Sequence, residues 1–315
     1  MQKTISIVIP VFNEEKNIPL IAHEIVRIFG TIPQYAYEII FVDDGSRDNS
    51  QKVMEDLAKI DEKIKTIEFS RNFGKESATS AGIHYATGDA VIAIDADLQH
   101  PVSLIPQLIR RWENGADVVI GLRTKNEGQS AIKSFCSFVY YKIINAISDT
   151  PIEPGATDFR LIDRKVVDEF NKFTEHDRMT RGLIDWLGFK REFVAFQANE
   201  RANGEAQYSL LKLAKLAVSS AVSHSLIPLK MAGYLGTCII FTAGIGGLVV
   251  FIQRYMLNDM LGWNISGTAQ LAILMIFFMG VMLACLGLIA LYIGNIHKEV
   301  SGRPLYVVRK KRNLK

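Results

Sequence analysis

The sequence predicts an α/β domain with a largely parallel sheet, followed by an interfacial helix and two membrane-crossing helices. Three observations carry that expectation. Short β-branched runs alternate with helical patterns from residue 1 to about 208, the loop after each of the first four runs is strongly polar, and two long stretches near the C-terminus carry no charge.

The strand runs are Ile5–Pro10, Glu38–Val42, Ile64–Phe69, Ala90–Asp95 and Asp117–Leu122. Helical patterns near Asn17–Phe29, Ser50–Lys59, Ser77–Ala86 and Val102–Trp112 separate them, which is the spacing of repeated βαβ units. The N-terminal MQKTISIVIPVFNEE has only a short apolar stretch that runs straight into polar sequence, so it reads as a first strand rather than a signal peptide. Ser209–Leu226 sets Leu210, Leu213, Leu216 and Ala217 on one helical stripe with Lys212 and Lys215 beside it, as in a helix lying in a membrane interface. Met231–Ile252 and Met260–Ile296 are 22 and 37 residues without a charge, each long enough at about 1.5 Å per residue to cross roughly 30 Å of hydrocarbon.

Charge sets the expected orientation. The connection between the spans carries only Arg254 and Asp259, whereas Lys212, Lys215, Lys230 and Lys298 flank them, and Gly302–Lys315 holds six basic residues and no acidic one. Both termini are therefore expected on the cytoplasmic face of the cell's inner membrane. The expected domains are a cytoplasmic α/β domain over 1–208, a juxtamembrane amphipathic helix over 209–229, two spans over 230–297 and a basic cytoplasmic tail over 298–315.

With 36 basic and 33 acidic residues the formal charge is +3, and that excess sits in the tail, so no nucleic-acid partner is expected. A chain that is 49% hydrophobic and 22% charged is not disordered, collagen-like or a disulfide scaffold. Cys136, Cys238 and Cys285 are odd in number, and two lie in the expected spans, which supports neither a disulfide framework nor a zinc site.

In open parallel sheets ligands sit beyond the carboxyl ends of the strands. Those positions here read Phe12-Asn13-Glu14-Glu15, Asp43-Asp44-Gly45-Ser46, Ser70-Arg71-Asn72-Phe73-Gly74-Lys75 and Asp95-Ala96-Asp97-Leu98-Gln99. Asp95 and Asp97, two apart at a strand end, project to the same side and suit one Mg²⁺ or Mn²⁺ ion bridging a diphosphate, with Gln99 as a further oxygen ligand. Taken alone, the pair reads equally as an acidic turn before the helix that follows Pro101. Asp43 and Asp44 are acceptors for a base or ribose, and Asp48 is placed to cap the next helix. Arg71 and Lys75 offer positive charge around Gly74, for a diphosphate or simply as solvated surface. Neither GxGxxG nor GxxxxGK[ST] occurs.

Seven blocks, SIVIPVFNEEKNI, FVDDGSRDNS, RNFGKESATSAG, GDAVIAIDADLQHP, GATDFRLIDRKVVD, ERANGEAQYSLLKL and GRPLYVVRK, occur in an order that resembles the family 2 glycosyltransferases acting on polyprenyl phosphates. That group includes dolichol-phosphate mannose synthases and bactoprenol glucosyltransferases. The resemblance implies a GT-A domain with Asp95, Asp97 and Gln99 at a divalent metal. It places Pro10, Val11, Asn13, Glu14, Asp43, Asp44, Lys75, Asp95 and Ala96 along the nucleotide sugar, and Arg123, Lys133 and Arg201 at the acceptor phosphate. The implied catalytic set is Asp97, Asp158 and Arg201. Asp158 has two readings, a base or a group that orients Arg160 or the sugar hydroxyls. The implied reaction is inverting transfer of a hexose, glucose from UDP-glucose first, to undecaprenyl phosphate, with GDP-mannose or a UDP-amino sugar as the alternative donor. A homo-oligomer would suit two spans that bury little surface alone.

Relatives usually read RxxGxSKY where this chain has Arg201 to Tyr208, with Ala206 and Gln207 in place of Ser and Lys. That departure bears on the donor and keeps a non-catalytic nucleotide-binding membrane scaffold as the reading from another class. A processive polysaccharide synthase is disfavoured because QxxRW is absent.

Overall fold

The computed structural model describes residues 2–124, 153–175, 178–197 and 267–314, with isolated positions at 245, 252 and 256 and side chains at only part of the last helix. The chain divides into two compact units, Met1–Gln207 together with Arg303–Lys315, and Tyr208–Gly302.

The first unit is one eight-stranded sheet with helices packed on it. The elements are β1 (Thr4–Val11), α1 (Ile18–Thr31), β2 (Ala36–Asp43), α2 (Ser50–Ile60), β3 (Ile64–Phe69), α3 (Lys75–Tyr85) and β4 (Ala90–Ala93). A 3-10 turn over Val102–Leu104 leads into α4 (Ile105–Glu113), followed by β5 (Val118–Arg123), β6 (Ala156–Asp163), α5 (Arg164–Phe170), α6 (Thr180–Trp186), β7 (Arg191–Phe196) and β8 (Val308–Arg312). Strand order is β7-β5-β6-β4-β1-β2-β3-β8. The centre, β4-β1-β2-β3, is parallel, as expected for βαβ units, while β6 runs antiparallel between β4 and β5.

Burial explains the central strands. Ile5, Ile7, Val8 and Ile9 of β1 are fully buried, which needs helices on both faces of the sheet. On α1 the buried Ile18, Ile21, Ala22, Ile25, Ile28 and Phe29 recur at three- and four-residue spacing and form one stripe. On α4 Ile105, Leu108, Ile109 and Trp112 do the same, and the Trp112 indole donates to Asp163 at 2.6 Å.

The basic C-terminal segment departs from the expected free tail. Val308–Arg312 pairs antiparallel with β3 as the sheet's edge. Arg309 pairs with Glu68 at 3.1 Å, Lys310 with Glu55, and Tyr306 stacks on Phe69 with ring centroids 5.0 Å apart. The lysine-rich pattern that reads as a tail is what a solvent-facing edge strand carries.

In the second unit, α7 (Gly267–Val300) is a 34-residue helix. Among the described residues no helix is established as long and apolar enough to cross a membrane. The two expected spans are thus not supported by the described residues, although α7 covers most of the second uncharged run. Most of the first one, the interfacial helix, Lys133, Arg201, Ala206 and Gln207 lie outside the described residues.

Candidate active site

The carboxyl ends of β1, β2, β3 and β4 and the amino end of the antiparallel β6 lie at one end of the sheet, and each loop there is tied to its neighbours. Asn13, at φ 58°, receives the backbone N–H bond of Arg47 on its Oδ1 at 2.8 Å and donates its own N–H to Ser46 Oγ at 2.9 Å. Glu14 N–H donates to Ser50 Oγ and Glu15 N–H to Asp48 Oδ2, so the β1 and β2 loops form one surface. Asp48 Oδ1 also accepts from Ser50 N–H at 3.0 Å, but the N-cap residue of α2 is Asn49 rather than the expected Asp48. Pro10 is half-buried and Val11 buried at the end of β1 beneath that surface.

Asp43 and Asp44 are buried and committed to the chain. Asp43 accepts from Ser46 N–H and from Gln51 Nε2 at 2.9 Å. Asp44 accepts from Phe73 N–H at 2.6 Å and from Gly74 N–H at 3.0 Å, fixing the β3 loop against the β2 loop. Burial, only partly offset by those two bonds, pushes the Asp44 carboxyl up from its ordinary value. Gly45, at φ 71°, is required here: a Cβ would sit 2.6 Å from the Arg71 backbone.

The Phe73–Gly74 turn aims Lys75, the first residue of α3, across the crevice. Its ammonium lies 2.6 Å from Asp95 Oδ1 and 2.9 Å from Asp158 Oδ2, joining β4 to β6. Burial opposes the charge on Lys75, but Asp95 and Asp158 outweigh it and hold the ammonium above its ordinary value. Burial likewise opposes ionisation of Asp158, yet Lys75 brings that carboxyl down to about 2. Asp97 Oδ1 accepts from Gln99 N–H at 3.1 Å, with Leu98 between them at φ 61°. Ala96 is buried under this turn. Among the described residues no cluster of three or more His, Cys, Asp or Glu side chains forms a ready metal cage. Two carboxylates at a strand end nevertheless fit a hard divalent ion that takes its remaining oxygens from phosphate and water.

The structure brings together Pro10, Val11, Asn13, Glu14, Asp43, Asp44, Lys75, Asp95, Ala96, Asp97, Gln99 and Asp158. Arg123 is exposed at the end of β5, its N–H bonded to Gly155 O at 2.9 Å. One feature differs from expectation. Arg160 does not bond Asp158; it is 2% exposed and donates to Thr157 O at 3.1 Å and toward Asp185 at 3.5 Å, drawn into the interior beneath α6. The buried His100 stacks on Phe159 with centroids 5.4 Å apart, its Nδ1 3.9 Å from Asp95 Oδ2. Burial holds His100 below its ordinary pKa. The Lys75–Asp158 bridge has no local signal, because its residues are 83 apart in sequence.

A family model described as glycosyl transferase family 2 matches residues 6–170. An "Uncharacterized glycosyltransferase YkcC" of Bacillus subtilis is 40% identical over 308 residues, covering 97% of this chain and 93% of that protein. The SfII prophage-derived bactoprenol glucosyl transferase of Shigella flexneri is 37% identical over 308 residues and 97% of each chain. Among solved structures, mannosyl-3-phosphoglycerate synthase from Rubrobacter xylanophilus is similar at a TM-score of 0.49 and 18% identity, over 73% of this chain and 75% of that one.

Proposed function

The chain belongs to glycosyl transferase family 2, and on that premise we propose that it moves a hexose, glucose from UDP-glucose, onto polyprenyl phosphate at the cytoplasmic face of a membrane. The observation that carries this is the Asp95–Lys75–Asp158 bridge between the carboxyl end of β4 and the amino end of β6, where charged groups of both signs meet beside a surface suited to a nucleotide. The relatives named as bactoprenol glucosyl transferases, similar over nearly the whole chain, support the lipid acceptor. Long uncharged runs over Met231–Ile252 and Met260–Ile296 support the membrane location.

Within this reading the GT-A site divides its labour. Asn13 and Glu14 hold the nucleoside on rigid loops that the buried Asp43 and Asp44 keep in place. Asp95, Asp97 and Gln99 hold Mg²⁺ or Mn²⁺ at the diphosphate. When bound, that ion supplies neutralisation of the charge developing on the leaving nucleoside diphosphate. Arg123, Lys133 and Arg201 grip the acceptor phosphate, which is mostly dianionic at neutral pH, since its second pKa is about 6. A nucleophile already ionised needs no strong base, and a carboxyl held at about 2 is a weak one. Asp158 therefore orients Lys75 and the sugar rather than removing a proton.

The test is transfer of radiolabelled sugar to undecaprenyl phosphate with Mg²⁺ or Mn²⁺, offering UDP-glucose, GDP-mannose and UDP-N-acetylglucosamine in parallel, for the wild type and Asp97→Ala. Lipid-phase label from UDP-glucose, lost in the variant, is the expected result. Label from another donor replaces the sugar assignment, and none from any donor with a folded, nucleotide-binding protein overturns the transferase reading in favour of a scaffold.

A further inference from the structure

Lys75 sits where a cation is not expected on helix grounds. It is the first residue of α3, and positive charge at a helix N-terminus opposes the macrodipole. Two carboxylates from different strands outweigh that cost, at 2.6 and 2.9 Å. The group is also open: the side chains of Lys75, Asp95 and Asp158 are 45%, 25% and 33% exposed. Ion pairs as exposed as this contribute little net stability and exchange partners readily.

The turn before Lys75 is fixed, by contrast, through Asp44 and the N–H groups of Phe73 and Gly74. A rigid base thus carries a flexible four-carbon stem whose charged end reaches two carboxylates at once. Without that ammonium, Asp95, Asp97 and Asp158 would crowd one end of the sheet with negative charge unopposed.

We propose that Lys75 is a resident counter-cation of the donor site: it occupies Asp95 in the metal-free protein and gives that carboxylate up when a divalent cation arrives, keeping Asp158 and turning toward the diphosphate. This rests on the reading of Asp95 as a metal ligand. Lys75 is then a positioning residue with two opposed effects. It lowers affinity for the bare ion by competing for Asp95, and it favours the ion that arrives with a nucleotide, whose phosphates offer the displaced ammonium a new partner.

The test is Mn²⁺ binding to the full-length protein in detergent, followed by electron paramagnetic resonance, for the wild type, Lys75→Gln and Asp95→Asn, with and without UDP. Without nucleotide, Lys75→Gln is expected to bind Mn²⁺ about tenfold tighter than the wild type, while its sugar transfer falls. A lysine that served only to prop up the site would loosen Mn²⁺ binding when removed. Unchanged or weaker Mn²⁺ binding by folded Lys75→Gln overturns the proposal while leaving the metal site standing, provided Asp95→Asn abolishes binding. Mn²⁺ binding that ignores Asp95→Asn, or none in any variant, overturns the metal assignment and the proposal with it. Should Lys75→Gln not fold, a crystal structure of the wild type with Mn²⁺ decides. An ammonium still 2.6 Å from Asp95 beside a bound ion overturns the proposal, and one parted from Asp95 supports it.

Discussion

Two lysine–carboxylate clusters occupy opposite ends of the same sheet. At the amino ends, Glu38 of β2 accepts from Ser6 Oγ at 2.5 Å and Thr87 N–H at 2.7 Å, and pairs with Lys65. Its side chain is 6% exposed and that of Lys65 16%. At the carboxyl ends, Lys75 bridges Asp95 and Asp158 in a group 25–45% exposed. The first cluster is saturated and shielded, so its net effect is to hold β1, β2, β3 and the α3–β4 turn in register. The second is held by a cation that exchanges. Similar side chains serve as scaffold or as site according to how many acceptor positions the fold has already filled.

Glu38→Ala probes the closed cluster and has the largest expected effect. It leaves Lys65 and the Thr87 N–H without their partner in the interior, costing about 3–5 kcal/mol in urea unfolding. A loss below 1 kcal/mol would erase the distinction between the clusters. Asp95→Asn probes the open one: sugar transfer falls by roughly 10²–10³, while the melting temperature stays close to that of the wild type. A matching collapse in stability would make Asp95 scaffold after all.

A smaller contrast lies within the β2 loop. Asp44→Ala strands the N–H groups of Phe73 and Gly74 and costs about 1–3 kcal/mol. Asp44→Asn keeps an acceptor and relieves a carboxylate that burial already disfavours, so it costs much less. Equal losses in the two variants would refute that account.

Acid titration gives the smallest effect. Burial opposes ionisation of Glu38 and of Asp158, but Lys65 with Ser6 and Lys75 respectively outweigh it, so both folded-state pKa values are depressed. Depressed carboxyls contribute stability above their unfolded values of 4.5 and 3.8, and that contribution is lost as pH falls through the folded values. For Asp158 the window runs from about 4 down to about 2. Asp158→Asn should flatten the pH dependence of unfolding across that window and lower stability at neutral pH, where the contribution of the ionised carboxyl is fully present.

Legibility followed range in sequence. β1 to β5 and the helices between them were readable because alternation and helical spacing are local, and the polar loops stood out at the strand ends. β6 and β7 carry no such signal: Ala156–Asp163 mixes charged and apolar residues, and its pairing with β4 and β5 is settled by partners far along the chain. β8 was hidden by its charge. Asp95 is legible as a polar residue at a strand end and Asp158 only through the family resemblance, and nothing local pairs either with Lys75.

The sequence by itself determined the α/β class, the order of the central elements, the cluster of functional loops and the family, because each is written in short periodic or ordered patterns. Tertiary structure alone decided which carboxylates are spent and which are left for chemistry. It seated the basic C-terminal segment on the sheet edge, buried Arg160 away from Asp158 and set Lys75 between two strands. Those outcomes depend on distances between residues remote in sequence, and only the folded sheet fixes them.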